Sequence, residues 1–456
     1  MAASRVEALL ALGERVVEMA RKTGADVAEA TAGEGSHLST KVRMREPELV
    51  EEAGSRSVGL RVMIGQQVAV SHTSDLSEAG LARLVDDAVE LARLAQPDPF
   101  AGPPDPSLLS TPESHPDLEL FDPELGRIDA GVAIDRARAG ERAAFDADPR
   151  ITNSEGATFT RAAGGSALVT SGGFRGGTQG SYGSLVVRPV ADDEGGKKRS
   201  GFHWAAKRHL AELDAPEEVG REAARRTLRK IGARRVPTQQ APVVFDPDAG
   251  RSILGLLSGC VMGSAIWRRS SYLVDRIGSR VASELVTVVD DPLIPRAPGS
   301  RPFDGEGLPS RRNVVVERGE LRTYLTDSYS ARKLGTESTG SASRGGSGGV
   351  GASTTNFVLQ PGATSAEALI RSTPKGLYVT DMMGFGFNAV TGDFSRGASG
   401  LWIENGELTF PVSEVTISLN LDDLLGSIDA VADDLDLRTS VATPTFRVSS
   451  MTIAGG

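Results

Sequence analysis

The sequence predicts an α+β fold: a sheet-and-helix domain at the N-terminus, then a mainly β, barrel-like and glycine-rich domain at the C-terminus. Three observations carry this. Two amphipathic helical periods flank a group of alternating strands in the first part of the chain. Glycine is abundant, 53 of 456 residues, and comes with many Thr, Ser and Val, which suits strands and turns better than a helical bundle. The last part of the chain carries Asn405-Gly406, a strong hairpin signal, between two β-type runs.

The elements follow in order. Residues 4–23 predict a helix whose Val6, Leu9, Leu10, Val16, Val17 and Ala20 share a face, with Ser4 as cap and Gly24 as the terminating glycine. Strands are expected over 25–32, 38–45, 57–64 and 67–72, the last two joined by a tight turn at Gly65-Gln66. A second helix over 77–95 buries Leu81, Leu84, Val85, Ala88, Leu91, Ala92 and Ala95, capped by Asp75 or Ser77. Seven prolines between residues 96 and 117 exclude helix and central strand there. The stretch 97–117 reads as a semi-rigid linker or a loop packed over the surface, and separates a domain over 1–96 from a central domain over 118–236. In the central domain a helix near 131–147 precedes a β-like stretch, 150–190, punctuated by glycine pairs at 164–165, 172–173 and 176–177. A further helix is capped by Asp214-Ala-Pro-Glu217 and ends near Gly232. The C-terminal domain, 237–456, opens with a buried strand at Ala241–Phe245, a turn at Asp246–Gly250 and a helix over 251–265. Gly340–Ser353 is a glycine- and serine-rich loop, either mobile at the surface or pressed closely against something. Strands at 377–380 and 400–404 enclose a decorated loop, and 407–417 is the return strand of the Asn405-Gly406 hairpin.

Bulk composition excludes several classes. The chain is 39% hydrophobic and 24% charged, ordinary for a globular protein. A net charge of −10 argues against general nucleic-acid binding, which needs clustered Lys and Arg. One cysteine permits no intramolecular disulfide and fits a reducing compartment. The start, Met1-Ala-Ala-Ser-Arg-Val-Glu, lacks a basic region with an apolar core, and no run reaches the roughly 18 apolar residues of a membrane span. A cytoplasmic location is the expectation.

Several ordered motifs say more. They are Gly376-Leu-Tyr-Val-Thr-Asp-Met-Met-Gly-Phe-Gly-Phe-Asn388, Thr391-Gly-Asp-Phe-Ser-Arg-Gly397, Arg301-Pro-Phe-Asp-Gly-Glu-Gly307, Tyr324-Leu-Thr-Asp-Ser-Tyr329 and Thr355-Asn-Phe-Val-Leu-Gln-Pro-Gly362. Together they resemble the TldD/PmbA family of peptidases, over the whole chain and most specifically over 236–417. Arg268-Arg-Ser-Ser-Tyr-Leu273 is similar to the TldE (PmbA) side of that family. The resemblance implies a two-subunit metallopeptidase that acts on unfolded peptides or leader peptides. In the TldD-like subunit a helical His-Glu-x-x-x-His and a later cysteine hold zinc, whose bound water becomes a nucleophile near neutral pH. Here the corresponding helix places Gly255 at the first histidine, Leu256 at the glutamate and Cys260 at the second histidine. No histidine or acid lies between Ser252 and Ile266. The resemblance therefore implies no catalytic residue, no metal and no cofactor in this chain, zinc in a TldD-like partner, and an extended peptide as substrate.

Other chemistry was weighed from the residues. His37, His72, His115, His203 and His209 include no pair at i, i+4, so they make no helical metal site. Cys260 in an apolar helix is either a core thiol or an unorthodox nucleophile. Gly345-Gly-Ser-Gly-Gly349 matches a nucleophile elbow in letters, but lacks the flanking strand and helix. Asp381, Gly384, Asn388, Asp393, Ser395 and Arg396 are substrate-channel candidates. The bland alternative is a buried Asp393–Arg396 pair, capped by Ser395, that merely fixes the turn. Two further functions stay open: a self-sufficient homodimeric hydrolase using Cys260 or Asp393, and a peptide-binding module without hydrolysis.

Overall fold

Long alternating stretches build the first sheet. The computed structural model describes residues 2–455. Helix α1 (Ala2–Thr23) precedes β1 (Val27–Arg43), β2 (Glu46–Ile64), β3 (Gln67–Thr73) and α2 (Glu78–Leu94). Helix α1 starts ahead of Ser4, so that residue lies inside it, and the Ser4 side chain is outside the described residues. Gly24 ends α1 at φ +110°, and Ser77, not Asp75, caps α2, its Oγ accepting from Gly80 N at 3.1 Å. Next come α3 (Ala130–Ala147), β4 (Ile151–Thr170), β5 (Arg175–Asp192), β6 (Lys198–Ser200), β7 (His203–Lys207) and α4 (Pro216–Leu228). Ala215 precedes α4 with no side-chain cap, so Asp214 does not play the role expected of it.

These strands form one antiparallel sheet, β3-β2-β1-β4-β5-β6, with β7 also on β5. The sheet thus runs continuously from before the proline-rich stretch to after it. The two expected strands 25–32 and 38–45 are one, because Gly33 and Gly35 are held extended by β2 on one side and β4 on the other. Of the glycine pairs in 150–190, only Gly172-Gly173 makes the turn; 164–165 and 176–177 lie within strands. All four helices cover one face. Ala28, Ala30 and Ala32 of β1 join the core of α1 and α2, while Leu38 and Val42, on the same face, join the core of α3 and α4. Full burial of each larger apolar side chain contributes about 1.5–3 kcal/mol.

The second half begins with β8 (Gln239–Phe245), α5 (Pro247–Cys260), α6 (Gly263–Trp267), β9 (Val288–Asp290), β10 (Asn313–Glu317), β11 (Glu320–Leu321) and α7 (Ser328–Leu334). A short hairpin, β12 (Ala342–Arg344) and β13 (Val350–Ala352), precedes β14 (Phe357–Leu359) and α8 (Ala366–Arg371). Then follow β15 (Lys375–Met383), β16 (Asp393–Glu404), β17 (Glu407–Asn420), α9 (Leu421–Gly426), β18 (Ile428–Val431), β19 (Val441–Ala442) and β20 (Phe446–Ala454). Strands β17-β16-β15-β8-β20 close into a barrel because β17 also pairs β20, and β18 extends the far side of β20. Its interior holds Val243, Phe245, Leu377, Val379, Phe394, Ala398, Trp402 and Ile417. A smaller sheet, β11-β10-β9-β14-β19, lies beside it. Asn405 (φ +52°) and Gly406 (φ +78°) make the expected hairpin turn. The helix expected over 251–265 is two: Asp246 caps α5, its carboxylate accepting from Ala249 N at 2.7 Å with Pro247 in the first turn, and the chain breaks at Val261-Met262 before α6.

The glycine-rich hairpin is one of the contacts between the two halves. Its tip packs on β2 so closely that a Cβ at Gly59 would lie 2.7 Å from Gly346 O and Gly348 N. Beneath it, Arg344 Nη2 and Arg61 Nη1 both donate to Glu29 Oε2, at 2.7 and 3.0 Å. Arg344 also donates to Gly305 O at 2.8 Å and to Gly348 O at 3.0 Å. The proline-rich stretch is strapped down too, with Arg332 donating to Phe100 O at 2.7 Å and Gly102 O at 2.8 Å.

Glu29 is 1% exposed. Burial works to raise its pKa, but Arg344 and Arg61 outweigh it and hold the carboxyl below the ordinary 4.5. The stabilisation is therefore complete above the unfolded-state value and is lost as pH falls through the lower folded value. Two outcomes are expected. Arg344→Ala, which leaves a buried carboxylate short of a partner, lowers stability by about 3–5 kcal/mol in urea melts at pH 7. As pH drops below about 4.5, the gap between wild type and Glu29→Gln in thermal melts shifts against the wild type; a gap constant from pH 7 to pH 3 contradicts this account.

Candidate functional site

Helix α5 lies across the barrel core through Ile253, Leu254, Leu257 and Cys260. Its N-terminus is tied to α4 by Asp248, whose Oδ2 accepts from Arg226 Nη1 at 2.8 Å. The capping carboxyl of Asp246 is pushed up to about 7 by burial and by the charge of Asp248. The outward face of α5 is bare: a Cβ at Gly255 or Gly259 would meet nothing within 4 Å. Gly255, Leu256 and Cys260 do not converge. Gly255 offers no side chain, Leu256 packs on the barrel core, and Cys260 is 1% exposed. These residues do not fit a zinc ion, which needs about three convergent N, O or S donors. Among the described residues no group of three or more His, Cys, Asp or Glu could hold a metal.

The connection between β15 and β16 borders the same end of the barrel, since Tyr272 N, just past α6, donates to Ala389 O at 2.8 Å. Asp381 lies on the outside, accepting from Lys230 Nζ at 3.1 Å and Thr380 Oγ1 at 2.7 Å, and so ties the barrel to the segment after α4. Gly384 turns the chain at φ +83°. Phe385 beyond it is fully exposed, and Met383 and Val390 are exposed as well. Gly386 has no alternative, because a Cβ there would fall 1.8 Å from Ser395 O. Asn388 closes the turn, its N–H donating to Asp393 O at 2.9 Å and its Oδ1 accepting from Val390 N at 3.0 Å.

Asp393, Ser395 and Arg396, expected in a loop, open β16 instead, because Phe394 and Ala398 alternate into the barrel. An odd separation along a strand sends Asp393 and Arg396 to opposite faces. Asp393 is exposed and accepts from Thr391 Oγ1 at 2.6 Å and Asn420 Nδ2 at 3.3 Å. There is thus no buried Asp393–Arg396 pair. Ser395 is exposed, and its N–H bonds Gly386 O at 2.8 Å. Arg396 lies on the inward face, at the barrel mouth. Asn420, outside the candidate set read from the sequence, clamps this loop by donating to Thr391 O at 2.8 Å while capping α9.

Other candidates are dispersed. His37 borders a cleft of about 540 Å³ over the glycine-rich middle of the first sheet, with Gly35, Gly54, Gly164 and Arg208. His72 is exposed, His115 packs 4.8 Å from Phe303, and His209 Nε2 pairs with Glu119 O at 2.8 Å. His203 is lowered to about 4 by burial and the charges of Arg226 and Arg438. Gly345–Gly349 is a hairpin tip with a Gly348 N to Gly345 O bond of 2.8 Å, not a strand-to-helix elbow.

Comparison with known proteins matches this architecture. Three models of the PmbA/TldA metallopeptidase match in order: domain 1 over 28–92, the central domain over 123–231 and the C-terminal domain over 238–455. The metalloprotease PmbA of Escherichia coli is 35% identical over 99% of this chain and 98% of its own. The chain belongs to the PmbA/TldD family. Within it the resemblance is to PmbA/TldE. A Bacteroides thetaiotaomicron crystal structure, described as a candidate modulator of DNA gyrase, superposes with a TM-score of 0.90 at 27% identity, covering 98% of both chains. TldE of Thermococcus kodakarensis shares the fold, with a TM-score of 0.87 at 22% identity over 97% of this chain and all of that one. Among the described residues of this PmbA/TldE-like protein, no helix is long and apolar enough to cross a membrane.

Burial pushes the Cys260 thiol up to about 11, so at pH 8 about one thousandth is thiolate. Native protein is expected to resist maleimide at pH 8 and to label stoichiometrically in denaturant; rapid native labelling contradicts this burial.

Proposed function

We propose that this PmbA/TldE-like chain is the accessory subunit of a two-subunit metallopeptidase, paired with a TldD-like subunit that carries the zinc. One observation carries the reading: where the catalytic subunits of the family place their metal helix, α5 offers Gly255, Leu256 and a buried Cys260, with open space beside Gly255 and Gly259. A catalytic zinc needs side chains that this helix does not supply. The role left to the chain is to shape the channel and to hold an extended or leader peptide in it. Strand-type backbone pairing gives such binding sequence tolerance. The exposed Met383, Phe385 and Val390 at the barrel mouth are the surface a partner or peptide would cover. The compartment proposed is the cytoplasm, consistent with a single buried cysteine.

The test is purification alone and with a TldD-like partner, followed by metal analysis and a peptidase assay on an unfolded polypeptide. The chain alone is expected to hold well under one zinc per molecule and to show no hydrolysis, both appearing with the partner. Stoichiometric zinc and activity in the lone chain would sink the proposal.

A further inference from the structure

Among the described residues, four arginines bury a guanidinium nitrogen that has no hydrogen-bond partner: Arg136, Arg229, Arg301 and Arg396. Three of them face an acid within the fold. Arg136 feels Glu217, Arg229 feels Asp246, and Arg301 feels Asp304 and Asp290. Arg396 feels none, and burial alone acts on it. Its side chain makes no hydrogen bond or ion pair among the described residues, and its Nε is fully covered.

Its position is equally distinct. Arg396 follows the inward register of Phe394 and Ala398 and pairs across the ladder with Ile417, itself a core residue. Met382, opposite Ala398, and Phe387 pack on the same core. The residue stays half-exposed because the β15 ladder stops at Met383 opposite Gly397, one step short of it. A cation with five donors thus stands on the core-facing side of β16, among apolar positions, where the β15 ladder ends. A donor covered from water and left without a partner is destabilising until something accepts from it.

We propose that Arg396 is a carboxylate-binding residue, taking the terminal or side-chain carboxylate of the extended peptide held at the barrel mouth. The planar fork of a guanidinium matches a carboxylate bidentately, and the apolar positions around it strengthen the pair. A phosphate would call for a second cation, and none acts on Arg396. The exposed Phe385 beside the Gly386–Ser395 bond offers an apolar platform for the neighbouring peptide residue. The proposal rests on the peptide-channel reading above and narrows its substrate class to peptides that present an anion at this point.

The experiment titrates the full-length chain with four fluorescently monitored probes. They are an extended peptide capped at both ends, the same peptide with a free C-terminal carboxylate, the capped peptide carrying one internal glutamate, and hippurate, a small carboxylate with one amide. The expected result is that one or both carboxylate peptides bind about tenfold tighter than the capped peptide, and that Arg396→Gln removes the difference. Preference for the free terminus identifies the terminal carboxylate, and preference for the internal glutamate identifies a side chain; either supports the proposal. Equal affinity of all three peptides, or a preference that survives Arg396→Gln, overturns it. Hippurate binding that depends on Arg396, with no peptide binding, keeps the carboxylate site and removes the channel reading; absence of binding by every probe removes both. Should the glutamine variant fail to fold, Arg396→Lys keeps the charge and loses the fork, and is expected to cut the preference at least about threefold; an unchanged preference overturns the proposal.

Discussion

A carboxylate buried between two guanidinium groups holds this molecule together as one body. Glu29 sits on the helix-free face of the first sheet, on the strand that pairs at its centre. Arg61 reaches it from the neighbouring strand, and Arg344 reaches it from the other half of the protein. Neither positive charge could stay buried without the acid, and the acid could not stay ionised without them. The glycines around the triad serve the same contact, since side chains at Gly59 or Gly305 would push the hairpin away.

That junction has consequences for the barrel. The C-terminal half closes β17 on β20 and fills the interior with branched and aromatic side chains. One end carries α5, whose cap and salt bridges tie it to the central segment. The same end carries the β15–β16 connection, which Asn388 closes on itself and which Asp381 and Asn420 tie to neighbouring elements. Hydrogen bonds thus fix the backbone of this connection, while Met383, Phe385 and Val390 stay exposed on it and Arg396 stays without a partner among the described residues. The groups left over are those that a second molecule could engage.

The bareness of α5 and the clamped β15–β16 connection fit a division of labour. A helix lined by Gly255 and Gly259 lets another surface approach closely, whereas His or Glu there would reach outward toward a metal. The buried Cys260 adds packing rather than reactivity. Chemistry in a complex of this family would then belong to the other subunit, and this chain would supply shape, grip and one unspent positive charge.

By itself the sequence determined the long periodic helices and strands, the hairpin at Asn405-Gly406 and the family. Each of these is local: a period of two or 3.6, a turn dipeptide, or a short run of named residues. Only the tertiary structure decided that Gly33 and Gly35 continue a strand, that 46–64 is a single strand although its first half is exposed, and that Asp393 to Arg396 belong to β16. In each case ladder pairing with the flanking strands carried the strand past the point where the local signal ended it, because a glycine or polar residue bonded on its flanks has no reason to bend. The separation of Asp393 from Arg396, the isolation of Arg396 and the meeting of Glu29 with Arg344 were equally beyond the sequence. They depend on which face a side chain takes and on residues 315 positions apart, and long-range contacts of that kind exist only once the sheet and the barrel have formed.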